Sequence, residues 1–131
     1  MNTKVIRCLC GGADYLACCG RYHNVQPAPD AEALMRSRYS AYVLGLEVYL
    51  LATWHPDTRP AELNLEADKM KWIGLEIKNS VLESADQATV EFVARYKIAG
   101  RAQRLHEISR FMRVGGQWFY VDGKFPVEHK K

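Results

Sequence analysis

Cysteine is the residue whose type and spacing most directly imply chemistry in this chain. All four cysteines, Cys8, Cys10, Cys18 and Cys19, fall within twelve residues in the pattern C-x-C-x7-C-C. A disulfide framework distributes its bridges across a fold, which one short segment does not do, and a reducing compartment disfavours such bonds. Four thiolates in a glycine-punctuated loop match instead a closed tetrahedral zinc site. Iron accepts the same ligands, but zinc is the commoner structural occupant. Gly11, Gly12 and Gly20 are expected to supply the positive φ angles and close backbone approach of a tight ligand loop. Thiols without metal in a flexible leader, or a disulfide, are the competing readings. A fully ligated structural zinc leaves no position for water or substrate. Its expected role is to fold an N-terminal arm too poor in apolar residues to order itself. Lys4, Arg7 and Arg21 flank the loop and either offset the thiolate charge or are simply solvated. His23, four residues after Cys19, is a reserve ligand or an ordinary hydrogen-bonded loop residue.

A second group of residues could line a small-molecule site. Arg38 stands four after Leu34 and four before Tyr42, so the helical stripe carries its guanidinium inward. A buried charge needs a partner, and Glu107, on a strand face with Ser109, and Asp122 in the last strand are the candidates. Arg38 then acts either as an anion anchor or as half of a structural ion pair between helix and sheet. His55 has an intrinsic pKa near neutrality and could move a proton, or it merely ends a helix before Pro56. His106 is expected on the sheet face opposite Glu107, so these neighbours are not a dyad. Trp72, Tyr96, Trp118 and Tyr120 either line a pocket or fill the core. No nucleophile elbow, phosphate-binding glycine loop or paired-histidine metal motif occurs.

The elements that must hold these residues follow from periodicity. Pro27 and Pro29 stiffen a joint between an arm, residues 1–26, and a domain spanning 27–131. Asp30 caps a helix from Ala31 that ends at Gly45. A second helix is predicted from Leu46 through Trp54, and a third from Pro60 to Lys71. The period then becomes two. Ile73, Leu75 and Ile77 alternate with Trp72, Gly74 and Glu76, and Val90, Phe92, Ala94, Tyr96 and Ile98 do the same. Ala99-Gly100 and Gly115-Gly116 mark turns on either side of a long strand from about Ala102 to Val114. Helices followed by an antiparallel meander read as α+β, with helices packed on one sheet face. The 131 residues suit this size, with 48% hydrophobic and 25% charged side chains. A net charge of +3 gives no strong bias toward nucleic acid or membrane. The run Tyr42 to Trp54 is thirteen residues, too short to span a bilayer, and Met1 to Arg7 holds no signal-like apolar stretch. A cytoplasmic location is therefore expected.

The segment from Cys8 to Gly20 resembles a SEC-C motif, the zinc-binding element also found at the end of the SecA translocation ATPase. Its spacer of seven residues between Cys10 and Cys18 is one shorter than usual, with Leu9 in place of proline and Gly12 in place of serine. Gly20 to His23, Ala33 to Tyr42, Tyr49 to Pro56, Glu107 to Phe111 and Trp118 to Gly123 are similar to the YchJ-type bacterial family. This resemblance implies a SEC-C element followed by a nuclear transport factor 2-like α+β domain. It implies no activity, and by analogy with SecA it implies partner docking. Three functions are weighed. The first is a zinc-binding protein without catalysis whose arm docks a protein partner. The second is a small-molecule binder, or a lyase/isomerase-type enzyme, using Arg38, His55 and Asp122. The third is a nucleic-acid binder using Lys4, Arg7, Arg21 and the basic tail from Lys124 to Lys131.

Overall fold

The computed structural model describes residues 8, 11, 18–24, 26–63 and 71–125. Three helices come first: α1 (Cys19–Asn24), α2 (Ala31–Leu44) and α3 (Glu47–Ala52). Four strands follow: β1 (Lys71–Ser84), β2 (Gln87–Ile98), β3 (Arg101–Val114) and β4 (Gln117–Lys124), antiparallel and in chain order. The fold is thus α+β, with helices preceding an open, curved antiparallel sheet. α2 lies on the inner face of the sheet. Among the described residues, no helix is long and apolar enough to cross a membrane.

The main helix is held at both ends by its own sequence. The Asp30 carboxylate accepts from the Ala33 amide at 2.7 Å, satisfying a donor that the first turn leaves open. At the other end Gly45 takes φ +74° and its amide returns to the carbonyls of Ala41 and Tyr42, the left-handed stop that glycine adopts without steric penalty. α3 is shorter than predicted, since Thr53, Trp54 and His55 leave the helix to meet β4. Trp54 pairs in parallel with Tyr120, the His55 amide donates to the Tyr120 carbonyl, and the Tyr120 amide donates to Thr53. This covers part of an otherwise open sheet edge. Of the third helix predicted over 60–71, residues 60–63 are irregular and Lys71 opens β1, while 64–70 lie outside the described residues.

Register carries more information than alternation does. In β2 and β3 the inner face reads Ala88, Val90, Phe92 and Ala94 opposite Phe111, Ser109, Glu107 and Leu105. β1 departs from the predicted pattern, because the pairing slips between Trp72 and Gly74. Ile73 occupies that bulge and is 48% exposed, which puts Trp72 on the same inner face as Leu75 and Ile77. A bulge adds one unpaired residue and so reverses the parity of every side chain before it. The outer face also has a covered centre. Val93 is fully buried and is flanked by a Glu91–His106 pair at 2.7 Å, so His106 does point away from Glu107. One hydrophobic cluster runs from Cys8, Cys19 and Tyr22 through Leu34 and Met35 to Phe92, Phe111 and Trp118. The arm and the sheet share that core.

Candidate functional site

The first candidate site is the thiol cluster. The Sγ atoms of Cys8, Cys18 and Cys19 lie within 4.8 Å of one another, and those of Cys18 and Cys19 are 4.0 Å apart. Bonds of about 2.3 Å at tetrahedral angles hold sulfurs about 3.8 Å apart, so the three thiols fit a tetrahedral metal with little movement. Local structure sets this spacing. Gly11, at φ +105°, closes a turn in which its amide donates to the Cys8 carbonyl at 3.0 Å. Cys19 opens α1, whereas Gly20, expected to take positive φ, is an ordinary helical residue there. Cys8 and Cys19 are buried against α2, and Cys8 Sγ is 3.7 Å from Ser40 Oγ. No disulfide joins the three. Cys10, the fourth expected ligand, and Gly12, Lys4 and Arg7 lie outside the described residues. His23 lies in α1 rather than in a loop and takes a hydrogen-bonding role. Its Nε2 is 2.7 Å from the Ser37 carbonyl and its ring packs edge-on against Tyr49. Arg21 donates to the Cys18 carbonyl at 3.2 Å and stacks over Tyr22.

The second is a cavity of ≈ 240 Å³ between α2 and the inner sheet face. Tyr39, Tyr42, Trp72 and Phe92 contribute aromatic wall, and Arg38, Glu107, Ser109 and Tyr120 contribute polar groups. Arg38 is only 3% exposed. Its Nη1 donates to the Leu50 carbonyl and to Thr53 Oγ1, both at 2.7 Å. Its guanidinium stacks 4.6 Å from the Tyr120 ring centre and 5.1 Å from that of Trp54, contacts that gain strength where water is excluded. Burial lowers its pKa, with the nearby tyrosines and Glu107 opposing the shift, and a guanidinium stays charged through such a change. Burial pushes the Tyr42 and Tyr120 hydroxyls up; the nearby Arg38 charge opposes both shifts and the Glu107 carboxylate adds to both.

Glu107, on β3, lines the same cavity as Arg38 and makes no ion pair with it. Its Oε2 accepts from Ser109 Oγ at 2.7 Å and from the Tyr120 hydroxyl at 3.2 Å. Asp122, the other candidate partner, is elsewhere. The β3–β4 pairing slips between Arg110 and Phe111, whose partners are Asp122 and Tyr120, so Val121 is the extra residue. That bulge turns Asp122 to the outer face, where Arg110 binds both its oxygens at 2.6 Å. The same Arg110 holds the carboxyl below its usual value, burial opposing. Gly123 becomes the inward residue, and a Cβ there would overlap the Glu107 carboxylate. His55 also lies outside the cavity. It sits beyond α3 with its Nδ1 accepting from the Asp57 amide at 3.1 Å and its ring edge-on to Phe119. Arg38 and Glu107 are therefore brought together, and His55 and Asp122 are not. The Arg38 partners Leu50 and Thr53 were missed because a carbonyl one helix away has no sequence signal. Gly123 was missed because the bulge that turns it inward is invisible in the alternation.

Residues 30–123 match the family model described as YchJ, middle NTF2-like domain. The chain belongs to the YchJ family. A UPF0225 protein of Chromobacterium violaceum is 59% identical over 122 residues, covering 88% of this chain and 90% of that one. A UPF0225 protein of Xanthomonas campestris is 52% identical over 126 residues, 94% of this chain and 98% of its own. Among solved structures, a SEC-C motif containing protein from Rhodopseudomonas palustris superposes with a TM-score of 0.82 at 32% identity, covering 93% of this chain and 100% of that one. A second such protein, from Psychrobacter arcticus, gives 0.70 at 28% identity, covering 99% of this chain and 80% of its own. The YchJ match thus spans α2 through most of β4, and the SEC-C likeness joins it to the thiol-bearing arm.

Proposed function

We propose that this chain is a cytoplasmic, non-catalytic binding protein in which zinc, held by Cys8, Cys10, Cys18 and Cys19, folds the arm so that it can dock a protein partner. The observation that carries this reading is the group of three thiols within 4.8 Å of one another, seated on α2. Four thiolates would fill the coordination sphere, and the metal would supply cross-linking rather than a Lewis-acid site. The partner role rests on the analogy with SEC-C elements. Native and denatured mass spectrometry of the purified protein tests the metal: one zinc per chain, lost on denaturation, is expected. A metal-free native mass overturns the zinc assignment. For docking, an interaction made through the arm is lost in a Cys18→Ser, Cys19→Ser variant. One that survives in that metal-free variant overturns the arm as the docking surface.

A second reading, a small-molecule site in the cavity, is favoured by one specific observation. Arg38 and Glu107 both line it and form no ion pair with each other.

A further inference from the structure

The charges on the cavity walls narrow what the cavity can hold. Both protein hydrogen bonds to Glu107 end on Oε2, which leaves Oε1 as the carboxylate's acceptor. On the facing helix Nη1 of Arg38 is committed to Leu50 and Thr53 and the Tyr42 hydroxyl lies beside the same guanidinium, but with five N–H donors in all Arg38, which lines the cavity, keeps donors for a ligand. A ligand anion would gain Arg38 but lie against Glu107. A ligand cation would gain Glu107 but lie against Arg38. Either would also surrender its hydration in a largely apolar chamber. An uncharged group with an acceptor toward Arg38 and a donor toward Glu107 satisfies both walls at once.

Size and shape restrict the rest of the molecule. At ≈ 240 Å³ the cavity exceeds the ~150 Å³ that encloses benzene and falls below the ~300 Å³ where pockets begin to hold drug-sized ligands. That suits one or two fused rings. The walls are flat and aromatic, with Trp72 packed 5.9 Å from Tyr39 and 6.3 Å from Tyr42. We propose that the cavity between α2 and the sheet binds a neutral, planar one- or two-ring compound bearing an amide or lactam edge, its carbonyl on Arg38 and its N–H on Glu107. This inference rests on the small-molecule reading of the cavity.

A panel of bicyclic probes separates the two. Isoquinolin-1-one, its N-methyl derivative, 1-naphthoate and 1-naphthylmethylammonium would be titrated into the full chain, with affinities from amide NMR shifts. The lactam is expected to bind best, with shifts at Trp72, Glu107 and Tyr120. N-methylation, which removes the donor and leaves Glu107 facing an apolar group, is expected to weaken binding at least tenfold. In Glu107→Gln the order should invert toward naphthoate, because only the cation remains. Equal binding of the lactam and its N-methyl derivative, or tighter binding of naphthoate or the ammonium compound to the unaltered chain, overturns the ligand class while leaving the cavity a site. No binding of any probe at millimolar concentration overturns the cavity reading and this inference with it. The wild-type panel decides the matter even if the variant fails to fold.

Discussion

A residue with no side chain of its own, Gly123, controls the polar end of the cavity. Gly123 leaves room for the Glu107 carboxylate, since an added Cβ would overlap that side chain along its length from Cγ outward. Glu107 is buried and held by Ser109 and Tyr120, so it has little freedom to yield. Gly123→Ala is expected to destabilise the fold by about 1–3 kcal/mol, the range of an overpacked core. A double-mutant cycle with Glu107→Ala in urea should recover most of that loss, because the two sites share one contact. The tyrosines provide a pH-dependent test. Burial raises the hydroxyl pKa of Tyr42, Tyr49 and Tyr120 above the ordinary value. A raised pKa for an acid means that the native state favours the protonated form. The stability is then full below the unfolded tyrosine value of about 10 and is lost as pH rises through the folded-state values. Absorbance titration should show part of the tyrosine population ionising late, and urea midpoints should fall above about pH 10. A single early phase would contradict the buried cluster.

At the scale of elements, the bulges decide what faces inward. Val121 turns Asp122 out and Gly123 in, while Ile73 does the reverse service for Trp72. Turn chemistry matters too. Ala99 and Gly100 both take positive φ, at 52° and 78°, as a two-residue hairpin of the mirror-image type requires. Glycine adopts this at no steric cost, whereas alanine carries a Cβ that crowds the following carbonyl. Ala99→Asn, which supplies the preferred Asn-Gly pair, is expected to stabilise the protein by roughly 0.5–1 kcal/mol in chemical denaturation. The Gly115-Gly116 turn at the other end of β3 needs no such repair, since glycine stands at both positive-φ positions.

For the whole molecule, the shared core links the arm to the sheet. Cys8, Cys19 and Tyr22 belong to the same cluster as Leu34, Phe92 and Trp118, so loss of the proposed metal should be felt beyond the arm. The sheet has apolar contacts of its own and should survive. Chelation of the purified holoprotein is expected to lower Tm by about 5 °C or more, at roughly 3–5 °C per kcal/mol for a domain of this size. The far-UV circular dichroism of the sheet should persist. Unchanged Tm after metal is removed would mean that the arm contributes nothing to stability.

The sequence alone determined the local features. The Asp30 cap, the Gly45 stop, the two glycine-bearing turns, the α+β order and the clustering of cysteines depend on neighbours within a few residues, and each is legible there. The sequence also placed Arg38 inward, because helical spacing follows from the chain alone. What it left open were the partners across space. Leu50 and Thr53 receive Arg38 through a carbonyl and a hydroxyl that no motif marks. Tertiary pairing alone decided that Glu107 rather than Asp122 faces the cavity, and that His55 follows β4 instead of lining it. The physical reason is parity: a strand's faces alternate strictly, so one unpaired residue exchanges inside for outside, and only the ladder with its neighbour shows where that residue falls.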